Sequence, residues 1–213
     1  MNTNITELVF ILDRSGSMSG LETDTIGGFN AMLKTQQAQT GQARLTTVLF
    51  DNEYFLLHDR LDLNAVRPMT DEDYYVRGST ALLDAIGRSI MKVDSVMKAC
   101  DLPHRPDKVL FVIITDGMEN ASHRFTRGQI AELVGQRRKM GWEFIFLGAN
   151  MDAITVAGSY GIDRSRAETF INDSQGVGMN FESVSRVASD MRASRPISAD
   201  WSRSIRERGR KKE

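Results

Sequence analysis

The fold is decided by the stretch ELVFILDRSGS, residues 7–17, in which an apolar run leads directly into a carboxylate, a basic residue and two hydroxyls. Residues 7–12 predict a short buried strand, because strands of parallel sheets carry unbroken apolar runs rather than alternation. Asp13, Ser15 and Ser17 follow at alternate positions, where an extended or turning loop can point side chains the same way. The stretch therefore predicts a parallel sheet with a polar site beyond its first strand.

Strand and helix patterns alternate through the rest of the chain. Strands are predicted at residues 43–50, 54–61, 108–115, 142–147 and 166–170, and helices at residues 20–39, 80–99, 126–140, 152–160 and 177–191. The turn at residues 51–53 predicts a hairpin with an antiparallel edge strand. Together these elements predict a three-layer, doubly wound α/β fold with a mostly parallel six-stranded sheet, one antiparallel edge strand, and helices on both faces.

Composition and charge indicate one ordinary globular domain with a basic end. The chain has 213 residues, of which 41% are hydrophobic and 26% are charged, with a net charge of −1. Residues 192–213 carry a net charge of +5, whereas the rest carries −6. We expect a domain at residues 1–193 and a flexible basic tail at residues 194–213. With no overall basic field, nucleic acid is not expected as a partner, except through that tail.

Cysteine usage and hydropathy exclude two further classes. Cys100 is the only cysteine, so an intrachain disulfide and a cysteine-rich zinc site are both excluded. The longest run of aliphatic and aromatic residues, 109–114, is far shorter than a membrane span. No basic residue precedes the first strand, as a secretory signal would require. We therefore expect a cytoplasmic protein that does not bind membranes, and we expect a monomer.

Two further motifs supply oxygen ligands. The strand at residues 108–115 leads into Asp116 and Gly117, and Thr80 starts a long helix after Gly78 and Ser79. Each motif alone has a simple structural alternative, since Thr80 equally suits a helix N-cap and Asp-x-Ser-x-Ser suits a capping turn. Ligands bind beyond the carboxyl ends of strands in doubly wound folds, so the motifs are expected to meet. Three hydroxyls and two carboxylates favour Mg²⁺, with Mn²⁺ or Ca²⁺ as alternatives, over zinc.

These residues resemble the von Willebrand factor A domain and its metal-ion-dependent adhesion site. The resemblance rests on DRSGSM at residues 13–18, GSTALLDAI at residues 78–86 and TDGMEN at residues 115–120. It is strongest to small stand-alone bacterial or phage-type domains, although many relatives have Gly-Gly-Thr where this chain has Gly78-Ser79-Thr80.

The resemblance implies a set of roles. Ser15, Ser17 and Thr80 would bind the cation through their hydroxyls, and Asp13 and Asp116 would bind it directly or through water. An open coordination position would take a Glu or Asp carboxylate from a partner protein, and binding would be coupled to the final helix. The expected function is therefore a non-catalytic, metal-dependent protein-binding module.

An enzyme and an unused metal site are the alternatives. A haloacid-dehalogenase-type phosphotransferase needs a second Asp two residues after the first, where this chain has Ser15. A serine hydrolase needs Ser at the position of Met18 in residues 16–20, and no P-loop motif is present in the sequence. A scaffold whose metal site is no longer used remains the third interpretation.

Residues flanking the motifs are given structural or contact roles. Asp84 is expected to accept hydrogen bonds from loop amides rather than to bind the metal, and Asp51 to be a hairpin turn residue. A partner-facing rim is expected from residues close to the motifs in sequence: Arg14, Met18, Met69, Tyr74, Tyr75, Arg77, Met118, His123 and Arg124.

Overall fold

The computed structural model describes residues 4–211 and contains six strands and six α-helices in that range. The strands are β1 (Ile5–Asp13), β2 (Gln42–Phe50), β3 (Tyr54–Asp62), β4 (Lys108–Thr115), β5 (Glu143–Ala149) and β6 (Ala167–Phe170). The helices are α1 (Glu22–Gln37), α2 (Leu82–Ala99), α3 (Arg127–Lys139), α4 (Ala153–Ser159), α5 (Ser174–Arg192) and α6 (Arg203–Arg210). None of the helices within residues 4–211 has the length and apolar character needed to span a membrane.

The strands form one sheet in the order β3-β2-β1-β4-β5-β6, which confirms the predicted fold class. All neighbouring pairs are parallel except β2 and β3, which form the predicted antiparallel hairpin at one edge. The chain runs outward in one direction from β1 to β2 and in the other from β4 to β6. The carboxyl ends of β1 and β4 are therefore neighbours at the point where the strand order reverses.

Alternation along β1 divides the core into two layers. Leu8, Phe10 and Leu12 face one side of the sheet, where they join a buried cluster with α1, α5 and α6. Val9 and Ile11 face the other side and join a cluster with α2, α3 and α4. Because successive side chains of a strand point to opposite faces, one continuously apolar strand supports both layers.

Helices α1 and α2 begin slightly later than the sequence pattern predicts, whereas α5 begins three residues earlier, at Ser174, after its N-cap Asp173. Helix α1 starts at Glu22 rather than residue 20, since Gly20 has φ of +87° and ends a preceding turn. Helix α2 starts at Leu82, because Thr80 lies in the loop that reaches the strand ends. The capping box predicted from Thr126 and Gln129 is present at the start of α3.

The C-terminal segment is ordered within the described residues, which differs from the flexible tail that we predicted. Trp201 and Ile205 are buried, and α6 packs beside β6. The Trp201 indole donates to the carbonyl of Ser165 at 2.8 Å. The segment is polar in composition, and for that reason the sequence pattern indicates solvent exposure. Two buried apolar side chains nevertheless anchor it to the domain.

Candidate metal centre

Three loops meet beyond the carboxyl ends of β1 and β4, and they bring four of the predicted oxygen ligands into direct contact. The hydroxyls of Ser15 and Ser17 are 3.1 Å apart, and the Thr80 hydroxyl lies 3.0 Å from that of Ser15. The Ser17 hydroxyl donates to Asp116 Oδ1 at 2.6 Å. Residues separated by up to 101 positions therefore form one continuous cluster of oxygens.

Asp13 lies directly behind this cluster and is buried. Its Oδ1 accepts a hydrogen bond from the Ser15 amide at 2.7 Å, and its Oδ2 accepts one from the Thr115 hydroxyl at 2.5 Å. Burial raises the pKa of the Asp13 carboxyl to about 6, opposed by the hydrogen bonds from Thr115 and Ser15 and reinforced by the Asp116 charge. Two carboxylates in one poorly hydrated site favour a nearby cation.

The Thr80 side chain is free for this cluster because it does not cap α2. The N-cap residue is Ala81, which offers no side-chain hydrogen bond. The unpaired amides at the helix start are instead satisfied from the loop after β4, where Glu119 Oε2 accepts from the Leu83 amide at 2.9 Å. The alternative role of Thr80 as an N-cap is therefore excluded in this structure.

The loop after β4 is fastened to the start of α2 at several points. The amide of Thr80 donates to Asn120 Oδ1 at 2.9 Å, and the amide of Asn120 donates to the carbonyl of Thr80 at 3.0 Å. The carboxylate of Asp84 accepts three amides, from His123, Arg124 and Phe125. This confirms the predicted role of Asp84 as an acceptor for loop amides.

Gly117 marks the space that the hydroxyls surround. A Cβ at this position would lie 2.8 Å from Thr80 Oγ1, 3.1 Å from Ser17 Oγ and 3.6 Å from Ser15 Oγ. A Cβ would therefore crowd the hydroxyls of Thr80 and Ser17 and contact that of Ser15. The sequence therefore keeps a side chain out of the place where the hydroxyls converge.

The donor set fits a hard divalent cation. Within residues 4–211, no group of three or more His, Cys, Asp or Glu side chains is placed to hold a metal ion. A site here must therefore draw on hydroxyl oxygens beside Asp13 and Asp116. Oxygen-only sites of this kind suit Mg²⁺, Mn²⁺ or Ca²⁺.

Two contacts at the site were not predicted from the sequence motifs. Asn172, just after β6, donates from Nδ2 to Asp116 Oδ2 at 2.9 Å. The only signal for it is its position after a strand, at the same edge of the sheet as Asp13 and Asp116. Asp51 is more than a turn residue, since its Oδ2 accepts from Arg14 at 2.9 Å and from Arg77 at 2.8 Å.

The predicted rim is smaller than its sequence neighbourhood suggests. Four of its members are buried and belong to the supporting structure: Arg14, Met18, Met69 and Tyr74. Tyr74 donates its hydroxyl to the carbonyl of Asp13 at 2.5 Å and so supports the first loop from below. The exposed members are Tyr75, Arg77, Met118, His123 and Arg124, and Phe55 joins them beside Tyr75.

Comparison with known proteins gives the fold a name. No protein-family model and no curated protein matches the sequence. Among solved structures, proximal thread matrix protein 1 from the mussel byssus, with a zinc-occupied MIDAS motif, is 13% identical with a TM-score of 0.57, covering 86% of this chain and 45% of that one. A von Willebrand factor type A protein from Catenulispora acidiphila is 13% identical with a TM-score of 0.57, covering 86% and 42%.

A third match is the manganese-loaded TRAP protein of Plasmodium vivax, 13% identical with a TM-score of 0.54, covering 84% of this chain and 73% of that one. The chain spans less than half the length of the first two of these structures. At such low identity the likeness establishes the fold and leaves the site to be argued from its own residues.

Proposed function

Since the chain has the fold of von Willebrand factor A domains, we propose that it is a non-catalytic protein-binding module whose binding depends on a divalent cation. The observation that supports this most directly is the contact of the Ser15, Ser17 and Thr80 hydroxyls with one another and with Asp116. With Asp13 behind them, these residues would hold the metal.

The charge of the proposed site favours an acidic partner. Two carboxylates only balance a divalent cation, and the three hydroxyls are neutral. The nearest buried cation, Arg14, is already paired with Asp51 at 2.9 Å. A metal held in this way retains an affinity for one further anionic oxygen. A Glu or Asp side chain of a partner protein supplies it, and the exposed rim around the site surrounds the contact.

The same residues support a non-catalytic role. A metal-dependent phosphotransferase needs a proton carrier two residues after Asp13, and Ser15 is a poor one. The Ser15 hydroxyl is also already engaged with Ser17 and Thr80. His123 is exposed on the loop after β4, where its amide donates to Asp84, and within residues 4–211 its side chain forms no hydrogen bond or ion pair with the oxygen cluster.

A bound cation would supply Lewis acidity toward a partner oxygen. We propose Mg²⁺ as the resident ion, with Mn²⁺ or Ca²⁺ as alternatives, because the donors are hard oxygens. Proximal thread matrix protein 1 has zinc in its MIDAS motif, and the TRAP structure is loaded with manganese. They support a divalent ion here without selecting one.

Calorimetric titration with Mg²⁺ and Mn²⁺ tests the proposal on wild type, Asp116→Ala and the control Asp71→Ala. Asp71 is an exposed carboxylate in the loop before α2, so Asp71→Ala removes the same charge as Asp116→Ala at a position away from the oxygen cluster. We expect saturable binding by wild type and control and none by Asp116→Ala, with circular dichroism showing that all three are folded. Equal metal binding by all three proteins contradicts the site assignment.

Affinity capture from a native lysate tests the partner. A protein retained by wild type in Mg²⁺, and lost with a chelator or with Asp116→Ala, is the expected result. Identical captures in all conditions contradict a metal-bridged contact. The cytoplasmic location and the monomeric state remain predictions from the sequence, to be checked by fractionation and by sedimentation.

A further inference from the structure

A second cleft of about 410 Å³ opens directly beside the candidate metal centre. Its walls come from the β2–β3 turn, the first two turns of α2, and the loop after β4. Asn52, Ala81, Arg88 and Arg124 are among its lining residues. Ala81, which lines the cleft, directly follows Thr80 of the oxygen cluster.

The cleft holds two arginines without a carboxylate partner. Arg88 and Arg124 form no ion pair with any carboxylate in residues 4–211. The Arg88 guanidinium lies over the ring of Tyr54, 4.0 Å from its centroid. This contact orients the cation toward the cleft while leaving its donors available. Arg124 is exposed and lines the same cleft from the loop after β4.

The acidic residues of the cleft are already engaged. Asp84 accepts amides from His123, Arg124 and Phe125 at 2.9 to 3.0 Å, so its charge is offset by three donors. The Glu53 carboxylate pairs with the Arg77 guanidinium. With Glu53 paired to Arg77, the two arginines outnumber the single carboxylate of Asp84, so the cleft carries a net positive charge.

We propose that this cleft binds a second acidic side chain, provided by the same partner segment whose first carboxylate reaches the metal. The inference rests on the proposed function and specifies the partner as a segment with two acidic residues. A single extended chain can reach both places because the cleft and the oxygen cluster share the segment that starts α2. A free small anion lacks that connection.

The helix geometry gives the expected spacing of the two acids. Arg88 follows Ala81 by seven residues, which is roughly 10 Å along a helix with a rise of about 1.5 Å per residue. An extended peptide advances about 3.3 Å per residue. Because successive side chains of an extended peptide point to opposite faces, the second acidic residue must be two or four positions from the first to face the same surface.

A peptide array tests this inference. The probes are Gly/Ser peptides with one fixed Glu and a second Glu moved through successive positions, with Gln replacing either Glu in the controls. Labelled protein is added to the array at increasing concentrations, in Mg²⁺ and in chelator, and the amount bound to each peptide is measured. We expect a second Glu two or four positions away to tighten Mg²⁺-dependent binding by roughly three- to tenfold, the range of one or two partly exposed ion pairs.

Matched variants assign the effect to the cleft. Arg88→Gln combined with Arg124→Gln is expected to bind single-Glu and double-Glu peptides equally, while keeping metal-dependent binding of the single Glu. The control combines Lys98→Gln with Lys139→Gln, two exposed lysines at the far ends of α2 and α3, and removes the same charge. It is expected to keep the full advantage of the second Glu.

Two failures have different meanings. If single-Glu peptides bind in Mg²⁺ but no second Glu improves binding, or if the improvement survives in the arginine variant, the cleft proposal is wrong and the metal-bridged function stands. If wild type and Asp116→Ala bind every peptide alike in Mg²⁺ and in chelator, the metal-bridged function is wrong and the inference falls with it.

Discussion

Arg14 illustrates how one residue inside a motif serves the structure rather than the metal. Its guanidinium is buried between Asp51 and the rings of Phe55 and Tyr75, with its central carbon 5.3 and 5.4 Å from the two ring centroids. The pair fastens the first loop to the β2–β3 turn. A buried ion pair adds little net stability, but removing one partner leaves an uncompensated charge in a dry site.

Asp51→Ala is therefore expected to lower the free energy of unfolding by about 3–5 kcal/mol, because Arg14 loses its buried counter-charge. Glu53→Ala removes a more exposed partner of Arg77 and is expected to cost less than about 1 kcal/mol. Urea denaturation measures both. Equal, small effects for the two variants contradict the structural role of the Arg14–Asp51 pair.

Gly117 belongs to the same scale, because a single methyl group there meets three hydroxyls. Gly117→Ala is expected to weaken Mg²⁺ binding at least tenfold, since the hydroxyls must move apart to admit the Cβ. Gly135→Ala in α3 is the control, because a Cβ there contacts nothing within 4 Å. Calorimetric titration is the measurement, and unchanged affinity for Gly117→Ala rejects the space beside Gly117 as part of the site.

Asp73 gives a pH dependence at residue scale. The hydrogen-bonded Arg67 guanidinium lowers the pKa of Asp73 to about 2, below its usual 3.8. Because the folded-state pKa is below the unfolded-state pKa, the ionised carboxylate stabilises the protein at pH values above about 3.8. This stabilisation is lost as the pH falls from about 3.8 through 2. Asp73→Asn is expected to be less stable than wild type at neutral pH, by under about 1 kcal/mol because Arg67 is exposed. The difference narrows toward pH 2 in acid titrations followed by circular dichroism, and a constant difference argues against this origin.

At the scale of elements, the C-terminal segment is held by a few specific contacts. Ser202 donates to Glu168 Oε2 at 2.8 Å, and Arg206 pairs with the same carboxylate at 3.1 Å. Arg208 pairs with Asp173 at 2.6 Å. Asp173 is the N-cap of α5 and follows Asn172, which contacts Asp116. Helix α6 therefore packs against the segment that adjoins the site.

Trp201→Ala tests whether this segment belongs to the folded domain. Truncating a buried Trp is expected to cost about 3–5 kcal/mol in the free energy of unfolding, through lost burial and the cavity left behind. Chemical denaturation measures the change, and Leu102→Ala, at an exposed position, is the control. A change below about 1 kcal/mol shows that the segment adds little to the fold.

At the scale of the whole molecule, the site depends on three segments that are far apart in the chain. The loop after β1, the loop before α2 and the loop after β4 meet only because β1 and β4 are neighbours in the sheet. A cation bound to all three stabilises the folded chain, because the unfolded chain has no such site.

Saturating Mg²⁺ is therefore expected to raise the unfolding temperature of wild type. At free metal near 100 times Kd the stabilisation is about 2.7 kcal/mol, or roughly 5–10 °C for a chain of this size. Asp116→Ala is expected to show no such increase in thermal unfolding scans. A similar increase in both proteins points to binding elsewhere on the surface.

The sequence alone determined the fold class and the residues of the oxygen cluster. Unbroken apolar strands alternating with amphipathic helices have one common solution, and the short motifs lie at strand or helix ends where that fold gathers its loops. The starts of α1 and α2 were predicted two residues early, because a local turn and the position of Thr80 override helical periodicity. The start of α5 was predicted three residues late, and α6 was not predicted.

Only the tertiary structure decided which distant groups meet. Four contacts have no periodic signal along the chain: Arg14 with Asp51, Asn172 with Asp116, Trp201 with Ser165, and Arg88 with Tyr54. Patterns in a sequence report which face of an element is apolar. Polar contacts depend instead on where two elements stop relative to one another, and packing alone sets that distance.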